Sequence, residues 1–208
     1  MTEVTDKRDE IIAAAQKRFG QFGFKKTSML EIAYDLEISK GLLYYYFPDK
    51  EHLYVAVVEK EFEEFKQNME EQLSSIDDPF EILRTYVKLR LIHFKSFLNF
   101  GRFRMEEMHK FHKVMLKTKD IFHDYERDMI IKVFQKGIKQ KLIIDENPEE
   151  TAELLFDLLR GIRVTTIKDK QLYYLDNNEF NNLAKKNEIF IEIFISGLKY
   201  NAQKPKQK

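Results

Sequence analysis

The sequence predicts an all-α chain, with a three-helix helix-turn-helix domain over residues 1–50 and a larger helical domain over residues 51–208. Two observations carry the fold class. Only 7 Gly and 4 Pro punctuate 208 residues, too few for the dense turns of a sandwich or barrel. Apolar residues recur mostly at intervals of three and four rather than two. A third observation divides the chain, because helix boundaries crowd into the first 50 residues and spread apart afterwards.

Each element has its own signal. A first helix starts near Thr5 or Asp6, sets Ile11, Ala15, Phe19 and Phe22 on one face, and stops where Gly23 can take the left-handed conformation. Ser28-Met29-Leu30-Glu31 is a capping box, in which the Ser28 hydroxyl and the Glu31 carboxylate each satisfy a free backbone N–H, and its helix runs to about Leu36. Ser39 caps a third helix, with Leu43, Tyr46 and Phe47 on one side, before Phe47-Pro48-Asp49 breaks it.

From Asp49 the helices lengthen. Tyr54, Val58, Phe62, Phe65, Met69 and Leu73 form a helical stripe, and Asp78 caps the next helix with Pro79 at its first position, running to about residue 98. Gly101 interrupts a segment rich in Phe, Met and His, and a further helix covers about Lys119 to Lys141. Asn147-Pro148-Glu149-Glu150 opens a helix with Leu155, Leu158, Leu159 and Ile162 on one face, widened by Ala152 and Phe156, so it needs two packing partners. Residues 169–186 read as a loop with at most short helical turns. The run from Ile189 to Ile195 fits a buried strand or a buried helix. We read it as helix, since an isolated strand has no ladder partner. The polar tail from Asn201 to Lys208 reads as disordered.

Composition sets limits. At 43% hydrophobic and 34% charged, with 35 basic and 35 acidic residues, the chain is of ordinary globular type. Zero cysteines exclude a disulfide scaffold, a thiolate zinc site and a cysteine nucleophile, and agree with a cytoplasmic setting. No run of about 18 uncharged apolar residues is present, so no membrane association is expected.

The first 50 residues carry the functional pattern. Leu43, Tyr46 and Phe47 turn inward and leave Lys40, Gly41, Leu42 and Tyr45 outside, a small surface that fits a major groove. Gly41 is a poor helix former, so it either permits close approach to base edges or packs tightly on a neighbouring helix. Charge alone does not decide the matter, since this stretch holds 8 basic and 8 acidic residues. Position does more. Lys17, Arg18, Lys25 and Lys26 fall in an acid-free span from Gln16 to Leu30, while Glu31, Asp35 and Glu37 cluster on or just after the second helix. Phosphate contacts should then be few, aided by the N–H groups of the helix starts at Ser28, Ser39 and Asp49. Tyr46 is either core or contact, and Tyr45 is the better contact candidate.

These residues resemble the DNA-binding domain of the TetR family of one-component transcriptional regulators. The resemblance rests on Phe19 with Gly23-Phe24, on Thr27-Ser28-Met29 leading into Ile32-Ala33, and above all on the run from Ile38 to Glu51. It implies a homodimer that places two third helices in successive major grooves of a near-palindromic double-stranded DNA operator. Repression would last until an unknown small-molecule effector binds the C-terminal domain. By the same resemblance Thr27, Tyr44, Tyr45, Tyr46 and Lys50 contact phosphates, and Lys40, Gly41 and Leu42 lie closest to bases. Glu37 departs from the family, which usually has Gly in this turn, and a left-handed backbone there costs a non-Gly residue about 1 kcal/mol.

The resemblance also implies that the last two long helices build a dimeric four-helix bundle, with Leu155, Leu159, Ile162, Phe190, Phe194 and Leu198 as interface candidates; burial inside one subunit is the alternative. Aromatic residues concentrate between 94 and 134, and a ligand pocket there would draw on Tyr86, His93, Phe97, Phe100, His109 and Tyr125. One Glu-x-x-His at Glu106 and His109, followed by His112, is too little for a di-iron site. No metal and no cofactor are assigned. The sequence has no Gly-rich phosphate loop, nucleophile elbow or HExxH, and the adjacent His123 and Asp124 diverge by about 100° on a helix, so an enzyme is not expected. The alternative to a DNA-binding regulator is a helical dimer whose helix-turn-helix docks a protein.

Overall fold

The structure is a computed structural model and describes residues 2–101, 112–144, 147–167 and 174–203. Among these the fold is all-α, with helices α1 (Thr2–Phe22), α2 (Met29–Asp35), α3 (Lys40–Tyr46), α4 (Lys50–Ser74), α5 (Pro79–Gly101), α6 (His112–Lys139), α7 (Pro148–Ile167) and α8 (Asn177–Gln203). The chain divides into two compact units. Met1–Lys66, Lys95–Thr118 and Gln171–Tyr174 form the first; Gln67–Phe94, Lys119–Lys170 and Leu175–Lys208 form the second.

The first unit closes around Ile11, Ile12, Ala15 and Phe19 of α1, Met29, Ile32 and Ala33 of α2, Leu43 of α3 and the first two turns of α4. Three rings lock its centre. Phe19 stacks on Phe24 at 5.6 Å, and Tyr54 meets both edge-on at 5.3 and 5.2 Å; such pairs add to burial because the ring edge of one faces the electron-rich face of another. The helix ends follow sequence chemistry. Gly23 takes φ 80° and its N–H returns to Phe19 O at 2.8 Å, closing α1. The capping box forms in full, with Ser28 N–H donating to Glu31 Oε2 at 2.8 Å and Glu31 N–H to Ser28 Oγ at 3.3 Å. Ser39 Oγ caps α3 by accepting from Leu42 N–H at 3.1 Å.

In the second unit, Phe80 N–H donates to Asp78 Oδ1 at 2.9 Å with Pro79 at the first helical position, and Glu150 N–H donates to Asn147 Oδ1 at 3.3 Å. Arg84 on α5 donates from Nε and Nη2 to the two carboxylate oxygens of Glu192 on α8. Gly137 has a packing role, since a Cβ there would lie 2.5 Å from Ile143 Cδ1. Its hydrogen lets the buried Ile143 fold back across the end of α6.

Four expectations change. α1 begins at Thr2 rather than near residue 5. Phe22 is 50% exposed, because it sits beyond the line of Ile11, Ala15 and Phe19 and lies instead under the Arg18 guanidinium at 5.5 Å. The loop expected to residue 186 ends at Asp176, whose Oδ1 accepts from Glu179 N–H at 2.8 Å while Glu179 Oε2 accepts from Asp176 N–H at 3.0 Å. This second capping box starts α8 through an Asn-rich stretch that reads as loop by composition. Ile189 to Ile195 is helical, and α8 carries on through Gly197 into the stretch expected to be disordered, to Gln203.

Glu37 occupies the left-handed region at φ 53°, a conformation that costs a residue with a Cβ roughly 1–2 kcal/mol, partly offset when Gly is introduced by its greater freedom in the unfolded chain. Replacement Glu37→Gly should therefore raise stability by about 0.5–1 kcal/mol in urea unfolding. An unchanged or lowered midpoint would show that the turn carries no strain.

Candidate nucleic-acid interface

Two side chains decide which way α3 faces. Leu43 and Phe47 are buried, and Phe47 also lies under the Arg8 guanidinium at 5.2 Å, so Lys40, Gly41, Leu42, Tyr44 and Tyr45 are left outside. Tyr45 is 78% exposed and meets Tyr46 edge-on at 5.3 Å, while Tyr46 is half-buried against the core. Lys40 rests over the Tyr44 ring at 5.5 Å. A Cβ built on Gly41 would meet only Ser39 Oγ, at 3.9 Å. No neighbouring helix among the described residues therefore demands a glycine there, and its missing side chain bears on whatever approaches from outside.

Beside α3 runs an open cleft of about 420 Å³, lined by Lys25, Lys26, Lys40, Lys50 and the start of α2. Lys25, Lys26 and Lys40 are exposed. The ammonium of Lys50 donates to Phe24 O at 3.0 Å and Thr27 O at 2.8 Å and lies 4.3 Å from the Phe24 ring centre, so it ties the α1–α2 loop to the first turn of α4. Thr27 is only 1% exposed and its hydroxyl donates to Gly23 O at 2.9 Å. In the structure its side chain serves the loop, satisfying that carbonyl inside the fold. Ser28 is exposed, but its hydroxyl is engaged in the cap.

The acids of α2 do not oppose this surface. Arg18 gathers them, with NH2 to Asp35 Oδ1 at 3.1 Å and NH1 to Glu31 Oε1 at 3.2 Å. Hydrogen bonds from Arg18 hold the Asp35 carboxyl below its ordinary range, and those from Ser28, with help from Arg18, do the same for Glu31. Both acids are thus ionised at neutral pH and matched internally. Arg18, counted among the free cations by position in the sequence, is committed to them.

The second unit places the remaining candidates less uniformly. Tyr86 is fully buried and its hydroxyl donates to Glu126 Oε1 at 2.9 Å, the same oxygen that accepts from Arg90 Nε at 2.8 Å. His93 is partly buried, and burial with the charge of Arg90 pulls its imidazole down to about 4. Tyr125 instead meets Glu70 on an exposed side, at 3.3 Å. The side chains of Phe97 and Phe100, and all of His109, lie outside the described residues. Arg90, Glu126 and Arg163 were not among the candidates, although Arg90 and Arg163 interrupt apolar runs, which was the available signal.

Leu155, Leu159 and Leu198 are buried within the subunit, and Ile162, Phe190 and Phe194 are half-buried, with Phe194 packed 6.4 Å from Phe134. The apolar residues that α7 and α8 turn outward are their neighbours: Leu154, Leu158 and Val164, and Ile189 and Ile193.

A compact core that presents a capped short helix beside a cationic cleft defines a helix-turn-helix DNA-binding regulator. Residues 11–57 match the family described as "Bacterial regulatory proteins, tetR family". The chain is 32% identical over 80 residues to the HTH-type transcriptional regulator HbdR of Aromatoleum sp. (strain CIB), which covers 38% of this chain and 35% of that protein. It is 47% identical over 55 residues to the HTH-type transcriptional regulator RutR of Escherichia coli (strain K12), covering 26% of each. The matches thus span about a third or less of these curated relatives. A crystal structure of a transcriptional regulator from Cytophaga hutchinsonii ATCC 33406 matches at 36% identity and a TM-score of 0.86, over 93% of this chain and 98% of that one. The chain belongs to the TetR family of transcriptional regulators.

Substitution Tyr45→Ala should lower affinity for duplex DNA about tenfold, the scale of a lost hydrogen bond to a charged group, in a fluorescence anisotropy titration, while leaving the thermal midpoint unchanged. Loss of folding instead would place Tyr45 in the core.

Proposed function

We propose that the chain is a one-component transcriptional repressor of the cytoplasm, a homodimer that binds a near-palindromic operator and releases it when a small apolar or amphipathic ligand binds. Residues 1–50 hold the DNA-binding domain in this reading, and residues 51–208 sense the ligand and dimerise. The observation that carries it is the outward face of α3, held out by Leu43 and Phe47 beside three exposed lysines. Lys40, Gly41 and Leu42 then meet base edges, and Tyr44, Tyr45, Lys25 and Lys26 meet phosphates.

Dimerisation has its own support. Ile189 and Ile193 are 53% and 67% exposed one turn apart on α8, and Leu154 and Leu158 are exposed one turn apart on α7. Gly161 and Gly197, where a Cβ would meet nothing among the described residues within 4 Å, keep the same helices slim. Adjacent apolar stripes of this kind are buried economically by a second copy related by a two-fold axis. In this reading Leu155, Leu159 and Leu198 hold each subunit's core, and the stripes one position away join the two subunits.

Two measurements test the proposal. Ile193→Asp should turn the dimer into a monomer in sedimentation velocity and weaken DNA binding; a dimer that persists unchanged would remove α8 from the interface. Binding to DNA from upstream of the chain's own gene should fall with salt, at about −0.9 in log–log slope per neutralised phosphate, hence roughly −3.6 for Lys25 and Lys26 on each of two subunits. Salt-insensitive or absent binding would favour a helix-turn-helix that docks a protein, the reading to which the neutral first 50 residues lend weight.

A further inference from the structure

The interior of the second unit carries a charge imbalance. Tyr86 and Arg90 project from α5 one turn apart and converge on a single carboxylate, Glu126 of α6. Burial opposes the charge on Arg90, but Tyr86 and Glu126 outweigh it and hold the guanidinium above its ordinary range. Arg163 of α7 lines the same small space as Arg90, with Leu91, Phe94 and Leu159. Its guanidinium lies 4.6 Å from the centre of the Phe94 ring, and among the described residues no carboxylate hydrogen-bonds or pairs with it. The nearby acid Asp157 takes Arg160 instead, at 3.0 Å.

Among the described residues two half-buried cations therefore share one buried anion. Burial and the charge of Arg90 pull Arg163 down to about 10, so it remains charged at neutral pH, and repulsion from Arg90 exceeds attraction from Glu126. His93 cannot relieve the imbalance, because it is neutral at pH 7. A cation largely withdrawn from water with no carboxylate of its own is unfavourable, and one that lines an enclosed space is satisfied by an anion from outside.

We infer that Arg163 and Arg90 form the anion-recognising end of the effector site, and that the effector is an amphipathic organic acid whose carboxylate docks between them. This rests on the ligand-controlled reading above and names its ligand class. A single negative charge restores balance, since two guanidiniums and Glu126 leave one positive charge over. A carboxylate also matches the planar fork of arginine. Phosphate carries more negative charge than the single positive charge left over. Leu91, Phe94 and Leu159 supply the apolar wall for the rest of the molecule. The present space is about 10 Å³, room for one water-sized group, so an entering carboxylate displaces side chains of α5 and α7, which is how binding reaches the helices.

The test uses the full-length chain with octanoate and phenylacetate, and with 1-octanol and 2-phenylethanol as neutral counterparts, read by calorimetric titration and thermal midpoint. At least one carboxylate should bind and raise the midpoint, with affinity at least tenfold above its alcohol. Arg163→Met should weaken that binding at least tenfold while raising the midpoint of the ligand-free protein, because an unpartnered half-buried charge has been removed; Arg163→Lys should retain part of the affinity. Carboxylates that bind no better than their alcohols overturn the inference. So does an Arg163→Met protein that binds them like the unsubstituted chain, or one whose ligand-free midpoint falls. Repeating the titrations with upstream DNA bound separates the two readings: a carboxylate that binds without changing DNA affinity supports the anion site and refutes ligand-controlled release, whereas release by the alcohols alone supports control and overturns the anion site.

Discussion

The anchoring of α3 by Leu43 and Phe47 is the constraint on which the rest of the interface depends. A helix of 7 residues has barely two turns, so two inward side chains fix its rotation about its own axis and leave no choice over what faces out. The anchor holds because its socket is stiff. Phe19, Phe24 and Tyr54 pack ring against ring beneath it, and Lys50 staples the preceding loop to α4 through two carbonyls. Preorganisation of this kind means that little ordering is left to be done when DNA binds.

Electrostatics in the first unit works by arrangement rather than by excess. The first 50 residues are neutral in sum, yet the acids of α2 are satisfied by Arg18 and by a helix cap, while Lys25, Lys26 and Lys40 stand in the open around one cleft. The second unit shows the opposite economy. There Arg84 and Glu192 are matched across α5 and α8 near the surface, and the half-buried Arg163 has no carboxylate partner among the described residues. Charge left over away from water is what the proposed effector site would use.

How much of this was legible in the sequence follows from the range of the interactions involved. Local chemistry was readable: Ser28 with Glu31, Ser39, Gly23, and Asp78 before Pro79 each act within a few residues, and each does what its type and spacing dictate. Asp176 with Glu179 obeys the same rule and was hidden only by the asparagines around it. The burial of Thr27 was not legible, because it depends on a carbonyl of Gly23 that folds back over it. On α7 the sequence has apolar residues at 154, 155, 158 and 159, and nothing local says which pair faces the subunit's own core. The group of Arg90, Glu126 and Arg163 draws on three helices far apart along the chain, so only the folded structure brings it together.

The absence of cysteine from the chain allows a direct probe of where α3 goes. Leu42 is exposed on the same face, and Leu42→Cys creates the sole thiol of the protein, to which a short photoreactive group can be attached. Cross-linking to duplex DNA from upstream of the gene, followed by mapping of the adducts, reads the position of α3 at single-base resolution. The account predicts two adducts at bases facing the major groove, symmetric about the operator centre and separated by about one helical turn or a multiple of it. Adducts confined to one side, adducts scattered without symmetry, or a labelled protein that binds the DNA and forms none would contradict it.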